Sequence, residues 1–100
     1  MNRAYDWLNQ AMRDLEHAKD SHKLGKYEWA CFASQQSAEK AVKALHLYLR
    51  QEAWGHIISK LLRELQENIP FEHYGSIQSE EAIKYASEII EFVRSKMANL

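Results

Sequence analysis

Residues 29–56 read WACFASQQSAEKAVKALHLYLRQEAWGH, and this stretch decides the fold. Wound as a helix at about 100° per residue, its polar residues Gln35, Gln36, Glu39, Lys40, Lys43, His46 and Arg50 fall within roughly 140° of arc. They make one stripe. The rest of the circumference carries Ala30, Cys31, Ala33, Ala38, Ala41, Val42, Ala44, Leu45, Tyr48 and Leu49. That apolar surface is wider than a helix lying on a core requires, so this helix, from Tyr27 to Gln51, is expected to be central and wrapped by others. The polar stripe is then either an ordinary solvated face or a binding surface. Trp29 and Phe32 fall in the sector that is polar farther along, and exposed aromatics there need cover from another helix or another subunit.

Upstream, Ala4, Leu8, Ala11, Leu15 and Ala18 recur at spacings of three and four, widened by Trp7 and Met12. The spacing predicts a helix from Arg3 to Lys23, with Asn2 as a candidate cap and Gly25 suited to a left-handed residue just past the end. Asp6, Asp14, His17 and Asp20 lie on other faces and read as solvated surface. Downstream, Ile57, Ile58, Leu61, Leu62 and Leu65 predict a third helix from His56 that Pro70 ends. Gly75 and Ser76 supply turn and cap residues for a last helix from Ile77 to Met97, with Ile83, Ala86, Ile89, Ile90, Val93 and Met97 on one stripe. Short links between four helices predict an all-α, antiparallel up-and-down four-helix bundle, formed as one domain over residues 1–100.

Composition agrees. With 46% hydrophobic and 27% charged residues, the chain falls in the range of folded proteins, and three Gly and one Pro leave few turn-makers. A formal charge of −1 offers no bulk attraction for nucleic acid, so any RNA contact must come from a local arrangement such as Lys40, Lys43 and Arg50. The one cysteine, Cys31, cannot make an intrachain disulfide or a zinc site and reads as a small buried hydrophobe. His17 and His22 lie on different faces of their helix, so no metal site is expected, and no motif calls for a cofactor. The N-terminus lacks the apolar segment of a signal peptide and no run approaches the length of a membrane span, which predicts a cytoplasmic protein.

The run ACFASQQSAEKAVKALHL followed by AWGH resembles the HEPN domain, a small all-helical module named for its occurrence in higher eukaryotes and prokaryotes and for nucleotide binding. The opening NRAYDWLNQAMRDLEHAKD and the GKYEWACF that follows are similar to the start of the small prokaryotic HEPN proteins. The similarity covers Asn2 to Leu65, and the last helix in pattern only. One departure stands out: where such proteins carry another short helix and a Tyr/Pro-rich loop, this chain passes from Ile69-Pro70 directly to Phe71. Either the segment is naturally deleted or the sequence joins two pieces across it.

The resemblance also singles out Arg50 and His56, because HEPN ribonucleases carry an Arg, four to six residues, and a His; here the intervening residues are QEAWG. The residue after the Arg is Gln51, where that pattern has Asn, Asp or His. Metal-free RNA cleavage needs a base of near-neutral pKa for the 2′-hydroxyl and a fixed cation for charge growing on the phosphate. His56 and Arg50 are the residue types for those roles, while a structural histidine at a helix start is the other reading of His56. By resemblance, the chain is expected to bind nucleotide or RNA through Gln36, Lys40, Lys43, His46, Arg50 and His56. It is further expected to pair as a homodimer and to act with a separately encoded minimal nucleotidyltransferase in a toxin–antitoxin-like pair. The alternatives are a metal-independent endoribonuclease and a non-catalytic dimerising scaffold. Glu39 and Lys43, spaced i, i+4, are expected to form a surface ion pair.

Overall fold

The computed structural model describes residues 3–49 and 75–98, together with Lys60 and Arg63. The described residues are all-helical: α1 (Ala4–Lys23), α2 (Tyr27–Leu49) and α3 (Ser76–Ala98). Lys60 and Arg63 are helical and exposed, but the rest of the predicted third helix lies outside the described residues, as does the junction at Pro70. The expected number of four helices therefore rests on that stretch.

The buried positions of α1 are Ala4, Leu8, Ala11, Leu15 and Ala18, the stripe that periodicity predicts. Its start is capped at Arg3 without any side-chain hydrogen bond, and the expected cap residue, Asn2, lies outside the described residues. Its end is built by local chemistry. Gly25, with φ of 75°, follows the cap residue Leu24; its N–H donates to the His22 carbonyl at 3.0 Å and the Lys26 N–H donates to Ser21 at 2.8 Å. Those two bonds satisfy carbonyls that the last turn would otherwise leave open. The Lys26 carbonyl then accepts the first bond of α2, from Ala30 at 3.0 Å, so three residues reverse the chain.

Nothing lies within 4 Å of a Cβ added at Gly25, so only its left-handed backbone resists substitution. Gly25→Ala is expected to cost about 1 kcal/mol, from the penalty an L residue meets there. Differential scanning calorimetry should show the melting temperature falling by about 4–8 °C.

α2 packs on both of the other described helices, while α1 and α3 meet less extensively, which makes it the central element among them. Tyr5 touches Tyr48 at one end of the α1/α2 pair and His22 touches Tyr27 at the other, so the two helices are antiparallel. At the turn end, His22 Nδ1 and Ser79 Oγ share a 2.8 Å hydrogen bond whose direction the imidazole tautomer sets. That bond brings the start of α3 to the start of α2, and the two run in the same direction. α3 opens on Gly75, whose N–H donates to the Gln78 amide oxygen at 3.2 Å, the reach-back half of a capping box.

The core joins Leu8, Leu15, Val42, Leu45, Ile89, Ile90, Val93 and Met97 to a set of fully buried alanines. Cys31 is buried there, and burial pushes its thiol pKa up. Ser34, Ser37 and Ser79 are also fully buried, which apolar periodicity alone does not single out. Ser34 Oγ donates to the Ala30 carbonyl one turn back at 2.8 Å, whereas Ser37 Oγ donates across to the Ala11 carbonyl of α1 at 2.6 Å. A short serine reaches a neighbouring helix backbone only where the two helices are close. The alanines on both sides permit that approach.

Candidate seam and groove between the first two helices

The polar stripe of α2 borders α1, and α1 supplies partners for it. Lys40 Nζ lies 2.8 Å from Asp14 Oδ2, in an ion pair whose side chains are 28% and 22% exposed. Lys43 Nζ sits 4.1 Å from the centroid of the Trp7 ring, a cation–π contact. This corrects two expectations. Asp14 is a half-buried partner rather than solvated surface, and Lys43 is held by Trp7 rather than by Glu39, whose carboxylate instead accepts from Gln35 Nε2 at 3.4 Å. Each partner lies across the seam, so single-helix spacing could not reveal it.

His46 is exposed on the same side, one turn beyond Lys43. Beside this end, Tyr5 and Tyr48 meet edge to face at 5.9 Å. Partial burial, then the neighbouring Tyr5, raises the Tyr48 pKa. Arg50 and His56 lie outside the described residues, so the described stripe comprises Gln36, Lys40, Lys43 and His46.

Toward the turn end the seam opens into a groove of about 550 Å³. Trp29, Phe32 and Ala33 form its apolar wall, and Asp14, Gln36 and Lys40 also line it. Trp29 is 64% exposed and Phe32 55%, with their rings edge to face at 6.2 Å. No described helix covers them, so the expected cover from within the chain is not found among the described residues. The sequence reading missed the groove because His17, Lys26 and Asp14 come from outside α2. The unexplained aromatics were its only signal.

Among the described residues, no three His, Cys, Asp or Glu side chains come together to hold a metal ion. No described helix is long and apolar enough to cross a membrane. The fold and seam thus define a class: a small helical domain built on a tight antiparallel helix pair with a polar stripe facing its neighbour.

The HEPN domain family matches residues 4–78, and the chain belongs to that family, one associated with nucleotide- and RNA-related functions. Solved structures agree. A Thermus thermophilus protein, TT1696, is 40% identical with a TM-score of 0.74, the match covering 96% of this chain and 99% of that one. ST0689, described as an archaeal HEPN homologue, is 32% identical with a TM-score of 0.75, over 97% and 99% of the two chains. A HEPN domain protein of Thermotoga maritima, tm0613, is 34% identical with a TM-score of 0.73, over 95% and 99%. Comparison with curated proteins returns no match.

Proposed function

We propose that residues 1–100 form a single HEPN-like domain that binds nucleotide or RNA along the α1/α2 seam. Gln36, Lys40, Lys43 and His46 lie on the binding path, and Arg50 and His56 are assigned to the same function by the family's sequence pattern. The observation that carries this reading is the arrangement of the stripe: cations held in place by Asp14 and Trp7, with the open groove at one end. A lysine so fixed still has donors for phosphate oxygens, and less side-chain entropy is lost when it binds. In this reading the protein works in the cytoplasm as a homodimer, with a separately encoded minimal nucleotidyltransferase as partner in a toxin–antitoxin-like pair.

Fluorescence anisotropy with a labelled single-stranded RNA tests the binding step. Affinity is expected to fall as salt rises, and Lys43→Ala should flatten the log–log slope by about 0.7, the value for one lost phosphate contact on a single strand. An absence of binding at low salt would sink the proposal.

A second reading, metal-independent endoribonuclease, is favoured by the Arg50 and His56 spacing. His56 takes the 2′-hydroxyl proton as the 2′-oxygen attacks phosphorus, and Arg50 steadies the charge on the phosphate. The P–O5′ bond breaks with the 5′-oxygen taking a proton from water, leaving a 2′,3′-cyclic phosphate and a 5′-hydroxyl end. With RNA in excess chelator, the native protein is expected to cleave and a folded His56→Ala variant to lose at least about a hundredfold in rate, as for removal of a general base. Cleavage surviving in His56→Ala would remove that residue from the mechanism.

A further inference from the structure

We infer that the groove at the Trp29 end of the seam is a base-binding pocket for a nucleotide, taken free or as one residue of single-stranded RNA; this rests on the nucleotide- or RNA-binding reading above. Three features of the groove point to that ligand chemistry.

The first is the apolar wall. Trp29 and Phe32 are both more than half exposed, and their edge-to-face contact leaves ring faces unstacked. A planar base stacking there recovers apolar contact and is accepted with little regard to sequence.

The second is a set of polar groups without partners among the described residues. The Gln36 amide stands one turn beyond Phe32, half-buried in the groove, and offers a donor and an acceptor side by side. That pair matches the edge of a base. Lys26, exposed in the turn between α1 and α2, and His17 of α1 also line the groove. A purely apolar ligand would desolvate these groups and give nothing back, whereas a base with its phosphate satisfies them.

The third is charge and size. The Asp14 carboxylate, which would repel a phosphate, is neutralised by Lys40 at 2.8 Å, so Lys26 supplies the net charge of the groove. A volume of about 550 Å³ lies within the roughly 300–1,000 Å³ of small-molecule sites. On α2 the pocket is lined from Trp29 to Lys40, in the half of the helix that follows the turn from α1.

The test is a titration of the full chain with adenosine 5′-monophosphate and, separately, with a short oligoadenylate. The indole N–H signals of the protein's tryptophans, assigned by Trp→Phe variants, are followed by NMR. A saturable shift of the Trp29 signal is expected, and Trp29→Leu should weaken binding by about tenfold or more. Gln36→Ala, in a second position of the same pocket, should weaken it by about threefold or more. Response to the mononucleotide identifies a free nucleotide, and response to the oligoadenylate alone identifies an RNA residue. Oligoadenylate binding that leaves Trp29 unmoved and is unchanged in both Leu and Ala variants would overturn the pocket while leaving the proposed function standing. A Trp29 shift that follows protein concentration and not added nucleotide would overturn it as well, by showing that the wall meets a second copy. Binding of neither probe would overturn both the pocket and the reading it rests on.

Discussion

Leu45→Ala is expected to lower the free energy of unfolding by about 2–5 kcal/mol. Leu45 is fully buried in α2, the helix that packs on both α1 and α3, and belongs to the same cluster as Leu8, Ile90 and Val93. Truncation removes burial that no other side chain supplies, and the cavity collapses only in part. Since 1 kcal/mol moves the melting temperature of a chain this size by about 4–8 °C, the variant should melt at least about 10 °C lower. Urea unfolding followed by circular dichroism measures the loss directly. A cost below about 1 kcal/mol would mean that α2 is not the centre of the core.

Ala11→Leu should be the second most damaging change, at about 1–3 kcal/mol or more. Ala11 is fully buried, and its carbonyl accepts the 2.6 Å bond from Ser37. There is no room between the two backbones for a branched side chain. The added atoms push α1 from α2, and the displacement reaches the flanking Lys43–Trp7 and Lys40–Asp14 contacts. Thermal unfolding checks the stability loss. A melting temperature equal to that of the native protein would contradict the close approach.

Much of the fold was legible before any coordinates. The predicted stripe of α1 is its buried set, residue for residue, and the left-handed turn at Gly25 forms where a glycine follows the last periodic position. In the last helix, Ala86, Ile89, Ile90, Val93 and Met97 are buried as their spacing implies. Ile83 packs only partly buried against the core, and Ser79 and Ala82 join it from the polar and small residues that a hydrophobic count undervalues. The family was legible too, since resemblance over a long run of positions pointed to HEPN and the family match covers residues 4–78.

The candidate site was less so. Its α2 members Gln36, Lys40, Lys43 and His46 could be picked out as a stripe, but not the state in which they are held. Asp14 and Trp7 sit on α1, and His17 and Lys26 reach the groove from α1 and the turn. Nothing in the spacing within α2 names them.

By itself, then, the sequence determined which residues wind into helices, which stripe of each is buried, where α1 stops and to which family the chain belongs. These depend on a repeat of about 3.6 residues and on backbone preferences acting within a few positions. Tertiary structure alone decided that Lys40 meets Asp14, that Lys43 lies on Trp7, that Ser37 bonds to α1 and that Trp29 and Phe32 line an open groove. Those contacts depend on the rotation and register of one helix against another. Two helices keep the same periodicities at any register, but only one register closes the alanine and serine surfaces and pairs the charges across them.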